Sequence, residues 1–244
     1  FIPHISNIIH GECNLPSDVI CMDIPQGCVG FMIGALQAFM LLDVVGDKKV
    51  VVFNTDVLCR KDREEPLSAP SFGGDATAIT VFEKDEKAPD IYMNLYNDGS
   101  EREALIMHAG GFKMPRSKET AKLVDIGDGT MKSYDDLWMD GSKVFNFVQK
   151  EVPPLIEELL SYAEKTKEEI DWYLFHQPNK FMLQKLADKL QIPWEKVPMN
   201  VVENFGNSSG STIPVNITFN MKDELIDHAY TCCLSGFGAG LSWG

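Results

Sequence analysis

The sequence predicts an α/β layered fold, and three observations carry that expectation. Short apolar or β-branched runs alternate with segments of helical spacing, which favours helices stacked on mostly parallel strands. The 244 residues are 44% hydrophobic, enough for a substantial core in one large domain or two fused halves. A strand-turn-helix junction is expected twice, at Cys28 and again at Asn207, which suggests two related halves facing each other.

Taken in order, Val19 to Ile24 reads as a short buried strand, Pro25-Gln26-Gly27 as a turn, and Gly30 to Val45 as an apolar helix. Lys49 to Asn54 is a further β-branched run. A polar loop from Arg60 to Ser71 follows, then strands at Ala76 to Phe82 and Ile91 to Tyr96. Gly99 to Gly129 has weak periodicity and reads as loop or insertion. Ser142 to Glu164 is helical by spacing, with Pro153-Pro154 expected to kink it or to start a second helix. Asp171 to Phe175 reads as a strand, and Asn179 to Leu190 as an amphipathic helix closed by Pro193. The Gly206-Asn207-Ser208-Ser209 turn can cap a helix reaching Phe219, and Tyr230 to Leu234 makes a last strand before a glycine loop.

The formal charge of −14 disfavours broad nucleic-acid binding, which needs a basic face to neutralise phosphates. No stretch approaches the roughly 20 apolar residues of a membrane span, because Gln37 and Asp43 interrupt the nearest candidate, Gly30 to Val45. The six cysteines show neither CxxC spacing nor disulfide-scaffold density, so a reducing cytoplasm is expected and structural zinc is not. Phe1 opens the chain inside an apolar stretch without an initiator Met or signal-peptide flanks, so the natural start is expected elsewhere.

Several side chains stand where chemistry could use them. Cys28 at the first turn of a helix would meet exposed N–H donors and the positive end of the helix dipole, which favour the nucleophilic thiolate. The bland alternative is a small buried hydrophobe. His176 follows a strand directly and precedes a helix that Asn179 can cap, a position that commonly lines clefts in α/β folds but also suits a structural histidine. Asn207 can project an amide at a helix start, or simply cap it. Ser235-Gly236-Phe237-Gly238-Ala239-Gly240 is small enough to bring N–H groups against a ligand and hold an oxyanion; a solvent loop would look similar.

These stretches, with Cys28-Val29-Gly30-Phe31, Thr55-Asp56-Val57-Leu58, Phe72-Gly73-Gly74-Asp75-Ala76, Asp140-Gly141-Ser142-Lys143-Val144-Phe145, His176-Gln177-Pro178-Asn179, Gly206-Asn207-Ser208-Ser209 and Gly238-Ala239-Gly240-Leu241-Ser242-Trp243-Gly244, together resemble β-ketoacyl-acyl-carrier-protein synthase III. The resemblance implies a thiolase fold of two similar halves. It puts an incomplete first half, with an inserted loop, at residues 1–130 and the second at 131–244, with the cleft at their junction in a homodimer. It implies Cys28 as acyl acceptor from a coenzyme A thioester, and His176 and Asn207 as donors to the enolate formed when malonyl-acyl-carrier protein loses carbon dioxide. The Cys28 and Ala239 N–H groups would form the oxyanion hole, and Phe72, Gly141, Asn179 and Phe237 match substrate-binding positions. No cofactor or metal is implied beyond the two substrates, and acyl carrier protein is the implied partner.

Departures from the family pattern are specific. The family carries a βαβ portion before the nucleophile and a final strand after the last motif, which this sequence does not contain. Phe72-Gly73-Gly74-Asp75-Ala76 departs from the usual Phe-Gly-Asp-Gly-Ala order, so no role passes to Asp75. Val29 replaces a smaller residue beside the nucleophile, and Phe181 stands where a basic residue is usual, although Lys180, Lys185 and Lys189 offer a local carrier-docking face. A papain-like peptidase also uses Cys, His and Asn in this order, but its Cys-flanking signature is absent. An ester-forming acyltransferase, a polyketide starter enzyme or a non-catalytic acyl-binding relative would keep much of the same pattern.

Overall fold

The structure is a computed structural model that describes residues 2–46, 48–59, 73–127 and 129–244 of the chain. Its helices and strands run in the order α1 (Ile5–Glu12), α2 (Gly30–Val45), β1 (Val50–Val57), β2 (Asp75–Phe82), β3 (Tyr96–Asn97), β4 (Leu105–Met107), β5 (Val124–Asp125), β6 (Met131–Lys132), β7 (Leu137–Met139), α3 (Gly141–Tyr162), β8 (Trp172–Phe175), α4 (Lys180–Leu190), α5 (Val201–Phe205), α6 (Thr212–Met221), α7 (Glu224–Asp227), β9 (Cys232–Ser235), β10 (Phe237–Gly238) and β11 (Ser242–Trp243). The polar loop expected at Arg60 to Ser71 lies outside the described residues, as does Phe72.

The layers follow from which faces are apolar. Helix α4 turns Met182, Leu183, Leu186 and Leu190 inward, one stripe of a 3.6-residue repeat, and α3 contributes Val144, Phe147, Val148, Val152 and Ile156. Both stripes meet Tyr173 and Phe175 of β8 and Cys233 of β9 in the main core. Helix α6 packs on β8 and also touches β2, while α2 packs on β1. That close packing needs small residues, and α2 supplies a buried run of Gly30, Gly34, Ala35 and Ala38. A Cβ on Gly34 would stand 3.0 Å from Val52 Cγ1.

The expectation of mostly parallel strands is corrected. Among the described ladders only β8–β9 is parallel, with Trp172 opposite Cys232 and Phe175 opposite Ser235. A parallel pair needs a long crossover, here the α4 to α7 segment, whereas β1 and β2 pair antiparallel over eight residues.

Two expected strands are also absent. Val19 to Ile24 forms no ladder, and Val19, Ile20 and Met22 are exposed. Asp23 is occupied instead in capping α1, accepting from the N–H groups of Ile5 and Ser6 at 2.9 Å each. Of Ile91 to Tyr96 only the last residue joins a strand, because Asn94 pins the segment to α3 by donating to Leu155 O at 3.0 Å. The junctions at Cys28 and Asn207 are therefore not strand-turn-helix: a segment outside any strand precedes the first and helix α5 the second.

Helix α3 runs unbroken through Pro153 and Pro154. Proline at 153 cannot donate to the carbonyl of Gln149, four residues back. Lys189 Nζ donates to that oxygen at 2.6 Å, so the lost ladder bond is replaced from α4. Gln191 ends α4 in the left-handed region at φ 56°, just before Pro193.

The α4 stripe yields a stability test. Leu186 is fully buried in the main core. Leu186→Ala is expected to lower unfolding free energy by about 2–5 kcal/mol in denaturant titration, whereas a loss under about 1 kcal/mol would show that α3, β8 and α4 do not form one close-packed core.

Candidate active site

The site grows from two turns that touch. The first closes when Gly30 N–H donates to Gly27 O at 2.7 Å, which leaves Cys28 at the mouth of α2 with Val29 buried behind it. The second carries Asn207 and passes through a short 3-10 turn, Ser209–Ser211, into α6. At Gly210 a Cβ would fall 2.8 Å from Gly27 O, so glycine is required for the second turn to lie against the first.

The Asn207 turn is held from both sides. Gly74 N–H donates to Asn207 O at 3.0 Å, and Gly73 bridges Asn207 in parallel fashion. A side chain at Gly74 would collide with the carbonyl of Phe205. The Gly-Asp order at 74–75 thus has a local reason, and Asp75 turns to accept from Cys59 N–H at 2.9 Å. Asn207 Oδ1 accepts from Ser209 N–H at 2.9 Å in an Asx turn, which directs Nδ2, the donor end, away from the backbone. Ser209 itself sits in the left-handed region at φ 52°, a conformation unusual for a side-chain-bearing residue, with its hydroxyl 4.0 Å from Cys28 Sγ.

The glycine loop completes the surroundings of the thiol. The N–H groups of Ala239 and of Cys28 itself lie near the Cys28 sulfur and favour its anion. A Cβ at Gly238 would stand 2.7 Å from Cys28 Sγ, so the loop can approach this closely only without a side chain there.

Cys28 does not rest as a favoured thiolate, contrary to the expectation from the helix start. The residue keeps some exposed surface, but burial of its sulfur pushes the pKa up, while the Ser209 hydroxyl and the Ala239 N–H oppose that rise. The nearby Asp56 carboxylate, which accepts from Gly210 N–H at 3.1 Å, adds a further upward push.

His176 directly follows β8, its N–H donating to Ser235 O on β9 at 2.8 Å. The ring is 1% exposed and packs edge-on against the equally buried Phe237, with centroids 5.6 Å apart. Burial drives its pKa down to about 3, so the imidazole is neutral at physiological pH. Nδ1 lies 2.7 Å from Thr212 Oγ1, which in turn donates to Ser209 O at 3.0 Å. Ser209 therefore joins the two sides, its hydroxyl facing Cys28 and its carbonyl reaching His176 through Thr212.

The remaining expected residues are dispersed. Asn179 caps α4 by accepting from Met182 N–H at 2.8 Å. Gly141 opens α3 on the surface, where a side chain would meet nothing within 4 Å. The three lysines of α4 are not a free basic face: Lys180 pairs with Glu203 at 2.8 Å, Lys185 with Asp188 at 3.6 Å, and Lys189 donates to Gln149 O within α3. No group of three or more His, Cys, Asp or Glu among the described residues is placed to hold a metal ion. Among the described residues no helix is long and apolar enough to cross a membrane. Sequence reasoning missed Thr212, which stands in no spacing that marks it, and assigned no role to Asp56, although it lies within the Thr55-Asp56-Val57-Leu58 stretch.

Comparison with known proteins supplies independent observations. Residues 160–244 match the family model described as 3-oxoacyl-[acyl-carrier-protein] synthase III C terminal. A curated relative from Prochlorococcus marinus, β-ketoacyl-[acyl-carrier-protein] synthase III, is 30% identical over 226 residues, covering 92% of this chain and 64% of its own length. A crystal structure of 3-oxoacyl-(acyl-carrier-protein) synthase III superposes with a TM-score of 0.90 at 26% identity, over 99% of this chain and 72% of that one. The 3-oxoacyl-(acyl-carrier protein) synthase from Burkholderia xenovorans gives a TM-score of 0.85 at 31% identity, over 99% and 67% respectively. The chain spans just under two thirds of the length of the curated relatives reported first, 64% and 65%.

Two outcomes test this geometry. The rate of Cys28 alkylation by iodoacetamide is expected to rise with pH through a midpoint above that of an ordinary thiol, since burial disfavours the anion; a midpoint below it would overturn the burial argument. Gly238→Ala is expected to keep the circular dichroism of the wild type yet block alkylation of Cys28, read by intact mass. Alkylation at the wild-type rate would show that the loop does not press on the sulfur.

Proposed function

We propose, for a chain that belongs to the β-ketoacyl-acyl-carrier-protein synthase III family, that the complete protein condenses an acyl group held on Cys28 with malonyl-acyl-carrier protein to start a fatty-acid chain. Its α/β layers have the thiolase-like fold of that family. The observation that carries the reading is the convergence at Cys28 of its own and the Ala239 N–H groups with the Asn207 turn, which the Ser209–Thr212 contacts join to a neutral, buried His176.

The chemistry follows from those properties. Cys28 Sγ attacks the carbonyl carbon of an acyl-coenzyme A thioester, and coenzyme A leaves as its thiol. The negative charge on oxygen in that step falls to the Cys28 and Ala239 N–H groups, fixed dipoles in a water-poor setting. Malonyl-acyl-carrier protein then loses carbon dioxide, and the enolate oxygen accepts from His176 and from Asn207 Nδ2. A neutral imidazole and an amide suit this role, because neither brings negative charge towards the anion. The carbanion attacks the acyl-Cys28 carbonyl and releases the β-ketoacyl product.

The same reading assigns residues 1–130 and 131–244 to two thiolase-like halves whose turns meet at Cys28 and Asn207. It makes the working form a homodimer that takes acyl-coenzyme A and acyl carrier protein as partners and needs no cofactor or metal. A cytoplasmic setting suits the six free thiols. The net charge of −14 argues against nucleic acid as a ligand.

Intact-protein mass spectrometry of the full-length protein tests the reading. Wild type incubated with acetyl- or longer acyl-coenzyme A is expected to gain one acyl group that Cys28→Ala does not, and malonyl-acyl-carrier protein is expected to discharge it as a β-ketoacyl product. His176→Ala and Asn207→Ala are each expected to slow that discharge on the order of a hundredfold. An adduct that malonyl-acyl-carrier protein cannot discharge would favour an ester-forming or starter-unit enzyme. No adduct with any donor would overturn the role of Cys28.

A further inference from the structure

The use of His176 depends on which ring nitrogen carries its single proton, and two neighbours bear on that, the Thr212 hydroxyl, which can donate or accept, and the Ser209 carbonyl, which can only accept. Nδ1 lies 2.7 Å from Thr212 Oγ1. The same hydroxyl oxygen is 3.0 Å from Ser209 O and 3.4 Å from Gln177 N. Thr212 is fully buried and His176 is 1% exposed, so neither turns to water for a partner. A threonine hydroxyl has one proton to donate and two lone pairs to accept with.

Two arrangements satisfy this triangle. In the first, the Thr212 proton goes to Ser209 O and Nδ1–H donates to Thr212 Oγ1, which leaves Nε2 as a bare acceptor. In the second, the hydroxyl turns its proton to Nδ1, and the ring must carry its own proton on Nε2. The two differ by one O–H rotation and a proton exchange at the ring.

We propose that the Thr212 hydroxyl is a two-position rotor that sets the His176 tautomer, presenting bare Nε2 to the Cys28 thiol during acyl transfer and Nε2–H to the malonyl thioester during condensation. The inference rests on the condensing reading above and makes Thr212 a positioning residue that acts through His176. In the first step the bond from Sγ to the acyl carbon forms as the bond to coenzyme sulfur breaks. The thiol proton passes through Nε2 to that leaving sulfur, and the imidazole returns to neutral. In the second step the malonyl carboxylate leaves as carbon dioxide, its bonding pair becomes the enolate, and Nε2–H holds the enolate oxygen. The pair then forms the new carbon–carbon bond, the acyl–Sγ bond breaks, and Cys28 regains its proton from solvent.

The test uses full-length wild type, Thr212→Val, which removes the hydroxyl at nearly constant shape, and Thr212→Ser, which keeps it. The chain has five histidines, few enough to resolve by 15N NMR with labelled imidazoles. Wild type and Thr212→Ser are expected to show His176 nitrogen shifts between the limits of the two tautomers. Thr212→Val is expected to show Nδ1–H alone, because Ser209 O remains within reach of the ring. Acylation of Cys28 by acetyl-coenzyme A is expected to persist in Thr212→Val, while discharge by malonyl-acyl-carrier protein falls on the order of a hundredfold, the cost typical of one lost oxyanion donor. Thr212→Ser is expected to restore discharge.

A wild type held wholly as Nε2–H, or equal slowing of both steps in Thr212→Val, overturns the rotor. The wild-type spectrum decides the matter even if Thr212→Val does not fold. A wild type that never acylates overturns the condensing reading instead, and the rotor's catalytic role with it.

Discussion

The approach of the Asn207 turn to the Cys28 turn is the constraint on which the rest of this structure depends. Gly27 and Gly210 meet so closely that a side chain at 210 would strike the carbonyl of Gly27. That contact brings the 3-10 turn before α6 onto the mouth of α2 and holds the Ser209 hydroxyl at the sulfur. The left-handed conformation of Ser209 costs of order 1–3 kcal/mol unless its surroundings over-determine it. Here they do, through the Asx bond to Asn207, the Thr212 hydroxyl on its carbonyl and the neighbouring Asp56–Gly210 bond.

Burial then decides the charge state of the site. A helix mouth and a strand end both favour ions in isolation, yet the sulfur of Cys28 and the ring of His176 are desolvated enough that each prefers its neutral form. A resting thiolate–imidazolium pair, as in many cysteine peptidases, is therefore disfavoured. A neutral pair suits chemistry in which the imidazole is a hydrogen-bond donor to a developing enolate rather than a resting cation. It also places weight on the partner of Nδ1, since a neutral ring has only one proton to place.

The frame that holds these groups is built around β8 and β9. His176 follows β8 and the glycine loop follows β9, so the parallel register that sets Phe175 opposite Ser235 also sets the imidazole beside Phe237. Helices α3 and α4 cover that pair with a continuous apolar core, and Lys189 replaces the ladder bond that Pro153 cannot make. The same lysine is thereby withdrawn from the surface role that its charge suggested.

Much of this was legible in the chain. Helix α2 runs from Gly30 to Val45 as its apolar run indicates, α4 shows its stripe at 3.6-residue spacing, and Asn179 caps it. Cys28, His176 and Asn207 stood out because glycine turns and strand ends are local signals, as did the glycine loop beside them. Other features were not legible. Val19 to Ile24 has strand composition, but pairing needs a neighbour that composition does not supply, and Asp23 serves α1 instead. Thr212 is 36 residues from His176, and Ser209 is 181 residues from Cys28. The sequence by itself determined the elements, the turns and the candidate chemistry, because propensity and periodicity act over a few residues. Only the tertiary structure decided the charge states, the strand pairing and the partner of the histidine, because burial and long-range contact exist only once distant segments pack together.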